Sequence, residues 1–107
     1  MILCIETATG ICSAALCDDS GILYLQEAAE GKTHASQLTV LIGKLFAEAS
    51  VSAAELDAVA VSKGPGSYTG LRIGVSVAKG ISYGAAIPLI AINTLTAMYY
   101  GFISGNN

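Results

Sequence analysis

At 107 residues the chain is long enough for one hydrophobic core and too short for two lobes with a cleft between them. Hydrophobic residues make up 53% and charged residues 12%, too little charge to coat a surface, so part of that surface must be covered by something other than solvent. A net charge of −3, carried with five scattered cations that aromatic residues do not interleave as a stacking platform would, argues against the dense basic face that nucleic-acid binding requires.

Met1 to Thr7 and Gly10 to Asp18 are β-branched or small and apolar, with Thr9-Gly10 as turn chemistry between them. Asp18-Asp19-Ser20-Gly21 is a second turn, and Ile22 to Ala28 reads as a third strand, so the chain opens as an antiparallel meander. After Gly31 the periodicity changes, and a helix is predicted from Lys32 or Thr33 to about Ser50. Ser52 or Ala53 starts a short turn, and Leu56 to Ser62 has the composition of a fully buried strand. Gly64-Pro65-Gly66-Ser67 is a loop, with Ser67 or Thr69 capping a second helix that runs to about Gly84. Pro88 to Ile92 is a last short strand, and Thr94 begins a third helical pattern. The order βββαβαβ(α) gives one α/β domain over 1–107. Strands joined through helices lie parallel and the opening strands antiparallel, so the sheet is mixed.

Both helices are apolar on more than one side. In the second, Arg72, Ser76, Lys79 and Tyr83 form one narrow polar stripe, while Leu71, Ile73, Val75, Val77 and Ile81 are spread around the rest. Gly70, Gly74 and Ala78 recur at a spacing that lets another backbone come close. The first helix carries an aliphatic stripe (Leu38, Leu41, Ile42, Leu45, Ala49) and a second, small-residue stripe (Ser36, Thr39, Gly43, Ala47). Glycine inside a helix costs about 0.5–1 kcal/mol relative to alanine, so Gly43, Gly74 and Gly80 each require a packing reason. A sheet covers only one side of a helix. The expectation is therefore a partner-docking face made by His34, Leu38, Leu41, Ile42 and Leu45 of the first helix with Leu71, Gly74, Val75, Ala78 and Ile81 of the second.

Candidate chemistry is sparse. Cys4, Cys12 and Cys17 show no CxxC spacing and read as reduced core thiols. His34 is the only histidine, which leaves neither a metal ligand set nor a Ser-His pair with an orienting acid. Gly64 and Gly66 lie between a strand and a helix, where backbone N–H groups can meet phosphate, but no Gly-Lys-Ser/Thr closes the loop. A dinucleotide would also need an acidic residue after the next strand, and none follows Asp57. Glu6 and Thr7 end the first strand, where actin-like ATPases and sugar kinases place an acid and a hydroxyl near nucleotide phosphates; a carboxylate solvated at the sheet rim is the other reading. The charge-free stretch from Gly84 to Ile103 is long enough to cross a bilayer, but Pro88, Asn93, Thr94 and Thr96 dilute it, and a strand followed by a helix explains it better. Met1 leads directly into an apolar strand with no basic stretch before it, so no signal peptide is expected.

Three blocks carry a family resemblance: Met1-Ile2-Leu3-Cys4-Ile5-Glu6-Thr7-Ala8, Lys32-Thr33-His34-Ala35-Ser36-Gln37-Leu38, and Ser62 to Gly74 with the sequence SKGPGSYTGLRIG. In order and spacing they resemble the N-terminal half of the bacterial TsaB (YeaZ) family. The resemblance implies an actin/Hsp70/sugar-kinase-like (ribonuclease H-like) lobe, with a C-terminal lobe expected to be absent. It further implies a non-catalytic, cytoplasmic partner subunit of the complex that forms N6-threonylcarbamoyladenosine at position 37 of ANN-decoding tRNAs. The implied partners are a catalytic TsaD-type subunit, docked through a helical bundle, and a TsaE-type ATPase; tRNA is met only through the complex, and no membrane is involved. Alone, the apolar face is expected to self-pair as a homodimer, and the lobe is expected to hold no cofactor. Glu6-Thr7-Ala8 stands where the family more often has Asp-Thr-Ser, which weighs against phosphate or Mg²⁺ handling. The competing expectation is an ATP-binding or hydrolytic member of the same superfamily. The older glycoprotease label finds no nucleophile or metal cluster in this sequence.

Overall fold

A computed structural model describes residues 1–7, 12–28, 35–64 and 68–93 of the chain. The strands are β1 (Ile2–Glu6), β2 (Cys12–Asp18), β3 (Gly21–Ala28), β4 (Ala58–Ser62) and β5 (Leu89–Ile92), and the helices are α1 (Ala35–Ala49) and α2 (Tyr68–Ala85). They form one five-stranded sheet in the order β3-β2-β1-β4-β5. β1 pairs antiparallel with β2 and β2 with β3, while β1–β4 and β4–β5 are parallel. This is the mixed sheet expected from tight turns followed by helical crossovers. The helix expected from Thr94 lies outside the described residues.

Local chemistry fixes the element ends. At the β2–β3 turn the Asp18 carboxylate accepts hydrogen bonds from the Ser20 backbone N–H at 2.8 Å and the Ser20 hydroxyl at 2.6 Å. Those two donors hold the Asp18 carboxyl below its ordinary pKa. Gly21 then turns the chain with φ 115°, a conformation that costs a residue with a Cβ. Both helices end in Schellman geometry. Val51 N–H donates to Phe46 C=O and Ser50 N–H to Ala47 C=O, and Ile87 and Ala86 repeat the pattern onto Ser82 and Tyr83. The left-handed positions are held by Ser50 (φ 56°) and Ala86 (φ 57°), not by the glycine that usually stands there. α2 thus runs past Gly84, the expected stop. Between α1 and β4 a short 3-10 turn, Ala53–Glu55, begins where the Ser52 N–H donates to the Glu55 carboxylate at 3.1 Å.

Strand alternation divides the sheet into two faces. Leu3, Ile5, Ala14, Leu16, Val59 and Val61 point to one face, and both helices cover it. α1 lies over β2 and β3 and α2 over β4, so the helices run side by side. Cys4, Ala15, Cys17, Ala58 and Ala60 point to the opposite face. Cys12 is a core thiol, as expected, but Cys4 and Cys17 are half-buried and face each other on that second surface. No helix among the described residues is long and apolar enough to cross a membrane.

Candidate docking groove

α1 turns its aliphatic stripe inward. Leu38, Leu41, Ile42 and Leu45 are 0–5% exposed and pack with Leu3, Leu16 and Val59. This corrects their expected place on a docking face: the sheet takes the bulkiest stripe, because burying a Leu or Ile side chain stabilises by about 1.5–3 kcal/mol. The same correction applies to α2 at Gly74 and Ala78. Ala78 is fully buried in the core. A Cβ on Gly74 would collide with the Thr7 hydroxyl and stand 3.6 Å from Ile5 Cγ2. The small-residue repeat lets β1, and no second helix, come close. Leu71, Val75 and Ile81 remain half-buried on the flanks of α2, and His34 lies outside the described residues.

The sides of the helices turned away from the sheet meet in a groove of about 430 Å³, lined by Thr39, Gly43 and Phe46 of α1 and Val77, Gly80 and Ile81 of α2, with Ile42 at its floor. The lining carries no charged side chain. Among the described residues, leaving aside the adjoining backbone of its own helix, no atom lies within 4 Å of where a Cβ would stand on Gly43 or Gly80. These two glycines therefore keep the groove open and gain no packing from the described residues. The small-residue stripe through Thr39 and Gly43 was the signal for this surface, and the aliphatic stripe beside it was the distraction. Arg72, Ser76, Lys79 and Tyr83 are exposed along α2 as their stripe requires, Tyr83 to 85%. A second depression, of about 470 Å³, lies between Lys63 and the Leu71, Arg72, Val75 and Ser76 side of α2.

At the strand end, Glu6 is 4% exposed and Thr7 fully buried. The Thr7 hydroxyl donates to the Gly70 carbonyl at 2.5 Å, so it is engaged with the first turn of α2. Gly64 is buried with φ 113°, and Gly66 lies outside the described residues. The solvated-rim reading of Glu6 fails, since its carboxylate is enclosed. Among the described residues no three His, Cys, Asp or Glu side chains stand together as a metal site.

Comparison with known proteins agrees with this geometry. The family described as "TsaD: tRNA N6-adenosine threonylcarbamoyltransferase" matches residues 27–106. The chain is 36% identical, over 91% of its length, to the tRNA threonylcarbamoyladenosine biosynthesis protein TsaB of Haemophilus influenzae, covering 41% of that protein. It is 35% identical over 94% of its length to the Escherichia coli TsaB, covering 43% of it. The solved structure of YeaZ from Pseudomonas aeruginosa superposes with a TM-score of 0.78 at 32% identity, over 86% of this chain and 43% of that one. The mixed sheet with both helices on one face is an α/β lobe of the actin-like class. Within that class, the chain belongs to the TsaB/YeaZ family of tRNA threonylcarbamoyladenosine biosynthesis. It spans less than half the length of these relatives.

Proposed function

We propose that this chain is a non-catalytic partner subunit in the formation of N6-threonylcarbamoyladenosine on tRNA, and that it docks onto a TsaD-type subunit through the α1–α2 groove. The observation that carries the reading is the pair of outward glycines. Gly43 and Gly80 each cost helix stability, yet among the described residues neither meets a neighbour beyond its own helix within 4 Å. An apolar groove floored by missing side chains admits a helix from another protein at close range. The half-buried Ile81, expected as a contact, lines the same groove; Leu71 and Val75 flank the neighbouring depression and extend the surface. In the absence of the partner the same groove accepts a second copy. A TsaE-type ATPase joins the assembly, tRNA is met through the complex in the cytoplasm, and this chain alone holds no cofactor.

The competing reading, nucleotide binding at the strand end, loses ground at Thr7, whose hydroxyl is already committed to the Gly70 carbonyl. Co-purification with a TsaD-type protein tests the proposal. Gly43→Glu and Gly80→Glu, each placing a charge where the chain itself offers open space, should weaken the complex by about 30-fold or more, the scale of an interface hot spot. Lys79→Glu, on the exposed stripe, serves as the control. Retention of full affinity by both glycine variants would sink the docking assignment, and tight calorimetric binding of ATP·Mg²⁺ by this chain would favour the competing one.

A further inference from the structure

Cys4 and Cys17 sit on neighbouring antiparallel strands, on the sheet face away from the helices. Leu3 and Ile5 enter the core, so Cys4 between them turns outward. In regular pairing Cys4 faces Ala15 and Cys17 faces Ile2, a diagonal arrangement. On its other side β2 meets a bulge in β3, where Leu23 is passed over between the Leu16–Tyr24 and Cys17–Ile22 pairs. The two Sγ atoms stand 3.5 Å apart and share a thiol hydrogen bond. Both residues are half-buried, whereas Cys12 is enclosed in the core on the other face and cannot join them. Access is provided beside Cys17, which lines a depression of about 240 Å³ with Ile2, Asp18, Asp19 and Asp57.

We infer that Cys4 and Cys17 form a reversible thiol–disulfide modification site whose oxidant is a small, uncharged hydroperoxide. Cys17 reacts first. Its thiolate attacks the terminal peroxide oxygen, the O–O bond breaks, and the alkoxide or hydroxide released takes a proton to leave as alcohol or water. The resulting Cys17 sulfenic acid is attacked by the Cys4 sulfur. The S–O bond breaks, hydroxide leaves, and it becomes water with the proton that Cys4 gives up. Two thiols have lost two electrons and two protons, and the hydroperoxide has become one alcohol (or water) and one water. A disulfide bond is about 2.0 Å long, so closure brings the sulfurs together by about 1.5 Å, within reach of two unbranched side chains beside a strand irregularity.

The assignment of roles follows access: Cys17 lines the depression and Cys4 does not. The hydrogen bond shared with Cys4 also pulls the Cys17 thiol below its ordinary pKa, although burial and Asp18 push the other way. The same bond, with burial, holds Cys4 protonated. The class of oxidant follows from charge. Three aspartates line the approach; among the described residues Asp57 alone has an ion-pair partner, the Met1 ammonium at 2.5 Å, while Asp18 accepts only the neutral Ser20 donors. That surface disfavours an anionic disulfide such as oxidised glutathione and leaves a neutral peroxide unhindered.

Treatment of the reduced protein with hydrogen peroxide, followed by alkylation and peptide mapping, is the test. Free thiols should fall from three to one, Cys12, with a Cys4–Cys17 peptide pair lighter by two hydrogens and restored by dithiothreitol. In Cys4→Ser, dimedone should trap a sulfenic acid on Cys17; in Cys17→Ser, Cys4 should stay unlabelled. Oxidised glutathione at equal concentration should form the cross-link more slowly. The inference fails if all three thiols still alkylate after peroxide treatment. It also fails if the linkage joins two copies or involves Cys12, if dimedone labels Cys4 in place of Cys17, or if glutathione disulfide is as fast as peroxide.

Discussion

Gly74 and Gly80 lie less than two turns apart on the same helix, and they answer to different neighbours. The absent Cβ of Gly74 is replaced by Thr7, so the helix settles closely onto the end of β1. At Gly80 none of the described residues fills the space, and across the groove the same holds for Gly43. A helical glycine costs about the same wherever it sits. At Gly74 the cost is recovered by close packing on Thr7, and under the proposed docking it would be recovered at Gly80 by the partner. The contrast separates a glycine that builds this lobe from one whose role the proposed docking supplies.

Substitutions sharpen the contrast, and the largest effect is expected on the inward side. Leu45→Ala removes a fully buried side chain from the α1–sheet interface and should cost about 2–5 kcal/mol in denaturant unfolding. Val40→Ala, on the outward side of the same helix where the side chain is 56% exposed, should change stability by less than about 0.5 kcal/mol. Gly74→Ala forces a methyl group into Thr7 and should cost about 1–3 kcal/mol in denaturant unfolding. Ala86→Gly relieves the left-handed residue at the end of α2 and should raise stability by about 1 kcal/mol. One effect has the opposite sign from intuition about glycine-rich helices. Gly80→Ala, whose added methyl meets none of the described residues, should stabilise the isolated lobe by about 0.5–1 kcal/mol while weakening the proposed complex. If Gly80→Ala destabilised the lobe as Gly74→Ala does, the distinction between the two positions would collapse.

Much of the architecture was legible from residue pattern alone. Asp18 to Gly21 announced a tight turn, the Leu56–Ser62 run announced a buried strand, and the element order with its mixed pairing followed. The orientation of the helices was not. A helix apolar on two sides does not say which side the sheet will take, and for α1 the sheet took Leu38, Leu41, Ile42 and Leu45 because they offer the most area to bury. In α2 the Gly70-Gly74-Ala78 spacing read equally well as an invitation to a helix or to a strand end, and Thr7 settled it. The outward stripe of Thr39 and Gly43 was visible as a second face, but the pattern did not say that it, and not the aliphatic stripe, would line the groove. The cysteines failed for a different reason. Cys4 and Cys17 meet through the register of β1 against β2, and register belongs to the pairing of two segments, not to either segment alone.

The Thr7 hydroxyl, joined to the Gly70 carbonyl and pressed against Gly74, acts as a spacer between β1 and α2. Its size sets the height at which α2 rides above the sheet, and hence how far Val77, Gly80 and Ile81 stand from α1 on the far side. The depth of the groove is thus fixed by a residue that no visitor to the groove can touch. Under the proposed docking, an incoming helix would find the opening already cut to size and spend little on rearranging it.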